Sequence, residues 1–170
     1  AVIVVHLYGF AADMDRILEI ANHNNLFVVE DCAQALGTLY RGKHVGTFGD
    51  FGILSFFADK TITTGEGGML ITNNQDLLDE VNIYKHDGRR ERGIDVIERL
   101  GYNFRITELQ TAIGVAQFER LSTIIEKKIE NNKHFKELLS KCDQIHFPFS
   151  GEHTYRVPHR VLIEVDNPEI

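Results

Sequence analysis

Lys60 follows an apolar, strand-like run, Phe51-Gly52-Ile53-Leu54-Ser55-Phe56-Phe57, and precedes the glycine-rich turn Gly65-Glu66-Gly67-Gly68. Asp31 follows a second apolar run, Leu26-Phe27-Val28-Val29. An amine and a carboxylate leaving neighbouring strands at one sheet edge suit the chemistry of pyridoxal 5'-phosphate. The lysine condenses with the cofactor aldehyde as a Schiff base. The aspartate pairs with the protonated pyridine nitrogen, so the ring can act as an electron sink. Opposite charge beside the pyridinium favours its protonated form. Taken singly, each residue has an ordinary reading: a solvated surface lysine, and an aspartate in a turn or cap. Their matching places after two strands carry the functional reading.

The elements that must hold them are legible as patterns. Residues 2–5 read as a strand. Asp13 is a plausible N-cap for a helix through about Asn24, with Met14, Ile17, Leu18 and Ala21 as its apolar stripe. Leu26 to Glu30 reads as a second strand, Ile53 to Phe57 as a third and Met69 to Thr72 as a fourth. Leu39-Tyr40 and His44-Val45 flank a turn at Arg41-Gly42-Lys43, and Asn74 caps a helix carrying Leu77, Leu78, Val81 and Tyr84. Strand, helix, strand implies a parallel unit with a right-handed crossover. Ligands in such sheets bind beyond the carboxyl ends of the strands. A single helix from about Thr107 to Ser140 follows, opened by a Thr107–Gln110 capping box, with room for a bend near Ser122-Thr123.

Composition narrows the class. The 170 residues are enough for a real core, with 43% hydrophobic and 25% charged residues. The net charge is −7, and nothing in the sequence resembles a broad basic face for nucleic acid. No apolar stretch approaches the ~18 residues of a membrane helix. Cys32 and Cys142 have no CxxC spacing, so reduced thiols in the cytoplasm are the expectation. The eight histidines lack HxxxH and HExxH spacing, which argues against a metal site. The glycines at 65–68 lack both phosphate-loop orders and read as a turn doubling the chain back beside Lys60. Lys85-His86-Asp87-Gly88-Arg89-Arg90-Glu91-Arg92 is a basic run in an acidic chain. It reads either as a solvated loop or as a contact for a nucleotide diphosphate, whose oxygens suit arginine forks.

Several segments together resemble the DegT/DnrJ/EryC1/StrS family of nucleotide-sugar aminotransferases. They are Val5-His6-Leu7-Tyr8-Gly9, Asp31-Cys32-Ala33-Gln34-Ala35, Gly46-Thr47-Phe48-Gly49-Asp50, Ser55-Phe56-Phe57-Ala58-Asp59-Lys60 and Gly101-Tyr102-Asn103-Phe104-Arg105. The run Lys60-Thr61-Ile62-Thr63-Thr64-Gly65-Glu66-Gly67-Gly68-Met69 is most similar to the perosamine synthase-like members. The resemblance spans roughly residues 2–140. It implies an α/β fold: the three-layer αβα large domain of the fold type I pyridoxal phosphate transferases, with a mostly parallel sheet. It also implies a homodimer with shared active sites. Lys60 would carry the cofactor and Asp31 would hold the pyridine nitrogen. Gln34 would contact the ring or its 3-hydroxyl, Ser55 the phosphate, and Asn103 the phosphate of the partner's cofactor. Glutamate would be the amino donor and a nucleotide-linked keto-6-deoxy sugar the acceptor. Asp87 departs from the simpler His-Gly of the family pattern.

Residues 1–145 then correspond to the central part of the large domain, and 146–170 to the lead-in of a smaller carboxyl-terminal domain. Strand-like runs at both ends suggest a segment of a longer protein, truncated at both ends, with half a cofactor site. Two other readings stand beside the aminotransferase. One is the dehydratase branch of the family, which has histidine where this chain has Lys60. The other is a regulatory or interaction protein that keeps the fold without catalysis.

Overall fold

The apolar runs become strands of one sheet, and its register fixes the site. The computed structural model describes residues 1–91, 93 and 95–166. Arg92 of the basic run and the last four positions of the 146–170 segment lie outside the described residues. In chain order the first elements are β1 (Val2–Val5), α1 (Met14–His23), β2 (Val28–Asp31), β3 (Leu39–Tyr40), β4 (Lys43–His44), β5 (Phe51–Ser55) and β6 (Gly68–Ile71). The main sheet has the order β1-β2-β5-β6. β1, β2 and β5 are parallel, with Val5 opposite Asp31 and Asp31 opposite Ile53. β6 returns antiparallel, with Ser55 opposite Gly68.

Alternation along the strands sends Val4, Val28 and Leu54 into the core, where they meet Met14 and Ala21 of α1 together with Cys32, Ala35 and Val45. The residues between them, Ile3, Val5 and Ile53, are apolar too and face the other way. A sheet apolar on both faces is the pattern of a sheet meant to be covered on both. Asp13 caps α1 by accepting the Arg16 N–H at 3.3 Å, as its sequence position suggests.

The remaining elements are α2 (Gln75–Lys85), α3 (Glu108–Phe118), α4 (Leu121–Leu139), β7 (Ile145–His146), β8 (Thr154–Tyr155) and β9 (Glu164–Val165). Asn74 caps α2 through the Leu77 N–H, and Thr107 and Gln110 form the full reciprocal box on α3. The expected single helix is two, broken at Glu119–Arg120 rather than near Ser122-Thr123. No glycine or proline stands there. The apolar stripe of Leu109, Ile113 and Ala116 would continue at 120, but it resumes at Leu121, Ile125 and Ile129. The break absorbs that one-residue slip.

β3 pairs with both β4 and β8. The β3–β4 turn is tighter than expected: only Arg41 (φ 48°) and Gly42 (φ 77°) lie between the strands, the positive-φ pair of a two-residue hairpin. β8 therefore ties residues 154–160 onto the first half of the chain. The buried Val157 N–H donates to Thr38 Oγ1 at 3.1 Å, and that hydroxyl donates to the Gly9 carbonyl at 3.2 Å. Gly37, at φ 89°, leaves the space into which Ile125 of α4 and Val157 pack. Among the described residues, no helix is long and apolar enough to cross a membrane.

Candidate active site

Asp31 is the last residue of β2, and its parallel register partner on β5 is Ile53. Ser55 ends β5 two positions further on, at the same carboxyl edge. Strand β5 stops there, short of the expected Phe57, because the backbone turns back. The Phe57 carbonyl accepts the Lys60 N–H at 3.1 Å, Phe56 N–H donates to Gly67, and Thr64 N–H donates to Phe56. The glycine turn thus closes a loop that holds Lys60 just past the edge where Asp31 and Ser55 end. The Lys60 side chain is only 14% exposed.

The polar groups around this edge are partly committed and partly free. Asp31 Oδ1 accepts the Ala33 N–H at 3.0 Å, and Ser55 Oγ accepts the Phe57 N–H at 3.3 Å. Gln34 Oε1 accepts the Tyr8 N–H at 3.0 Å, which turns the amide so that its NH2 is the end left over. Among the described residues, the second oxygen of Asp31, the hydroxyl proton of Ser55 and the Gln34 NH2 have no partner. The donor set therefore fits the cofactor: an amine for an aldehyde, a carboxylate for a pyridinium, and neutral donors for phosphate and hydroxyl oxygens.

Beneath this edge lies a network that the sequence did not reveal. Glu30 is fully buried and accepts four hydrogen bonds, from His6 Nε2 at 3.0 Å and from the N–H groups of Gly46, Phe48 and Gly49, each at 2.7 Å. His6 Nδ1 accepts the Ala12 N–H at 3.1 Å, so its proton sits on Nε2 and points at Glu30. Burial alone would raise the Glu30 pKa, but the His6 bond and the three amide bonds outweigh it and hold the carboxyl below its ordinary value. The ligand atoms of His6, Glu30 and Cys32 lie within 4.8 Å of one another. Both Glu30 oxygens are already engaged. Burial, then the charges of Glu30 and Asp31, push the Cys32 thiol up. His6 and Glu30 form a hydrogen-bonded latch that joins β2 to the 46–49 turn, with the Cys32 thiol buried beside them, and this is not an open set of metal ligands.

Asn103 is not gathered with the others. It is exposed, forms an isolated bridge with His86, and its Oδ1 accepts from Arg105 Nε at 2.7 Å. Two arginines of the basic run beside it, Arg89 and Arg90, are paired with carboxylates, as are Arg99 and Arg105 further along. Arg89 meets Asp95 at 3.1 Å, Arg90 forms a two-pronged pair with Glu98 at 3.0 Å, Arg105 approaches Asp87 at 3.6 Å, and Arg99 pairs with Glu80.

The sequence matches the profile of the DegT/DnrJ/EryC1/StrS aminotransferase family over residues 1–169. The chain belongs to this family. It is 47% identical over 149 residues to the GDP-perosamine synthase of Escherichia coli O157:H7, covering 86% of this chain and 40% of that protein. It is 40% identical over 164 residues to the GDP-perosamine synthase of Vibrio cholerae, covering 95% of this chain and 45% of that protein. The structure is similar to that of S. venezuelae DesV in complex with a ketimine intermediate, with TM-score 0.91 and 28% identity, over 98% of this chain and 45% of that one. The DegT/DnrJ/EryC1/StrS chain thus has the α/β architecture of the fold type I aminotransferases, and it spans less than half the length of these relatives. The synthase names of the relatives do not favour the dehydratase reading.

Proposed function

We propose that the complete protein is a pyridoxal 5'-phosphate-dependent aminotransferase. It moves an amino group from glutamate to a nucleotide-linked keto sugar, with a 4-keto-6-deoxyhexose as the acceptor class.

 The proposal places residues 1–145 in the central part of the large domain and 146–170 in the lead-in to the smaller one. It also takes the working unit to be a cytoplasmic homodimer with shared active sites.

The observation that carries this reading is the placement of Asp31, Ser55 and Lys60 at one carboxyl edge, on and just after adjacent parallel strands. When bound, the cofactor supplies an aldehyde that condenses with amines and a ring that withdraws electrons from the substrate carbon. Lys60 Nζ holds the cofactor and then moves the proton between the substrate carbon and the cofactor. Asp31 keeps the pyridine nitrogen protonated through its free oxygen. Gln34 orients the ring through its NH2, which the Tyr8 contact turns outward. Ser55 donates to the phosphate. Asn103, exposed and far along the chain, serves the partner's cofactor phosphate. The names of the E. coli and V. cholerae relatives support a nucleotide-sugar acceptor.

Borohydride reduction of the complete protein with bound pyridoxal phosphate, followed by peptide mapping, tests the reading. Label on Lys60 is the expected result. Label on Lys43 or Lys85 would overturn the assignment.

A further inference from the structure

Lys60 and His159 share one carboxylate. Asp59 Oδ2 accepts from Arg160 at 2.6 Å and lies 3.9 Å from His159 Nε2, while Oδ1 lies 3.8 Å from Lys60 Nζ. The His159 side chain is 1% exposed, and neither ring nitrogen has a hydrogen-bond partner among the described residues. Its backbone is pinned on both sides: the N–H donates to the Tyr8 carbonyl at 3.4 Å, and its own carbonyl accepts from Lys128 Nζ at 3.5 Å.

A neutral imidazole carries one N–H donor, and a buried donor without an acceptor is rare. This one stops about 1 Å short of hydrogen-bond distance from a carboxylate. The charged groups facing it are Lys128, Lys60, Asp59 and Arg160. Burial comes first, then Lys128 and Lys60, in holding the ring below its ordinary pKa of 6.5 against the pull of Asp59. The imidazole therefore stays neutral while the lysine ammonium shares Asp59.

We infer that His159 is a positioning residue for Lys60: its ring N–H takes over Asp59 whenever the Lys60 ammonium gives up its charge. Asp59 then remains anchored by Arg160 and His159, and the returning lysine finds the carboxylate where it left it. The inference rests on the proposed role of Lys60 as an amine that loses its charge during turnover. Nothing in the sequence pattern links these residues, since His159 reaches the site only because β8 pairs with β3.

The test uses the complete protein without cofactor. NMR titration of the His159 ring should show its midpoint rising by about one pH unit in Lys60→Ala, because a like charge is removed and Asp59 is released to the ring. The midpoint should fall in Asp59→Asn, which supplies a second reading if Lys60→Ala does not fold. A midpoint unmoved in both variants overturns the inference. Competitive reductive methylation at fixed pH gives an independent measure. Lys60 should be methylated more slowly in His159→Phe than in the wild type, with the rate restored in His159→Gln, which keeps an N–H donor. Equal rates in all three would overturn the inference too. Both readouts stand apart from the borohydride mapping: label elsewhere than Lys60 sinks the proposed role of the lysine, while an unmoved His159 sinks this pairing.

Discussion

Glu30 and Asp31 are consecutive carboxylates on one strand, and alternation gives them opposite tasks. Glu30 points into the core and spends all its acceptor capacity on His6 and the 46–49 turn. Asp31 sits at the edge with one oxygen free among the described residues. Replacing Glu30 with Gln puts an NH2 against N–H donors and removes the charge, so the protein should lose roughly 3 kcal/mol of stability in denaturant unfolding. The same latch makes stability depend on acid. The folded pKa of Glu30 lies below its ordinary 4.5, so its contribution is full above about that pH and is lost as pH falls through the folded value. Unfolding midpoints of wild type and Glu30→Gln should therefore converge on acidification, and parallel pH curves would contradict the latch. Asp31→Asn should keep cofactor but slow transamination by about a hundredfold, ~2.7 kcal/mol of barrier, in single-turnover kinetics. At this scale the placement of Asp31 and Lys60 at one sheet edge was legible because each follows an apolar run, whereas Ser55, inside such a run, was picked out only through the family resemblance. The bond from Tyr8 to Gln34, the Glu30 latch and the Asp59–His159 approach were not, because they join residues distant in the chain through side-chain geometry that no local spacing records.

The elements show why local reading succeeded where it did. Caps at Asp13, Asn74 and Thr107 are decided within one turn of chain, and the structure has all three. The parallel β1-α1-β2 unit followed from periodicity alone. The α3–α4 break was misplaced because a one-residue slip in the apolar stripe leaves no proline or glycine to mark it. β8 was missed because a two-residue strand is set by its partner β3, not by its own sequence. Close packing between β5 and the preceding turn gives a direct test of this architecture. A Cβ on Gly52 would lie 2.1 Å from the Gly46 carbonyl oxygen, so strand and turn cannot keep their spacing. Gly52→Ala should cost about 3 kcal/mol or more in unfolding experiments and loosen the 46–49 amides from Glu30. Wild-type stability would mean that β5 does not run against this turn.

At the scale of the whole molecule, two surfaces stand open among the described residues. Ile3 and Val5 are 71% and 50% exposed on the sheet face away from α1, and Met69 is 50% exposed on β6. Near β6, a cavity of about 430 Å³ is lined by Phe56, Ile62, Met69, Ile106, Val115 and Phe118. Apolar surface of this kind marks a face that another part of a protein covers. β1 and β6 are also the edges of the main sheet, each offering unpaired backbone groups. The chain covers only 40% of its E. coli relative, so the proposed cofactor site draws on a fraction of the contacts that the complete protein has to offer. Losing about half of a preorganised set of contacts costs several kcal/mol, on the order of a thousandfold in affinity. Residues 1–170 expressed alone should therefore self-associate in light scattering. With pyridoxal phosphate, glutamate and a panel of keto-sugar nucleotides they should show no turnover, even though Lys60, Asp31 and Ser55 are all present. A monodisperse chain turning over at the rate of the complete protein would mean that the open faces need no cover, and that the edge holding these three residues suffices for catalysis.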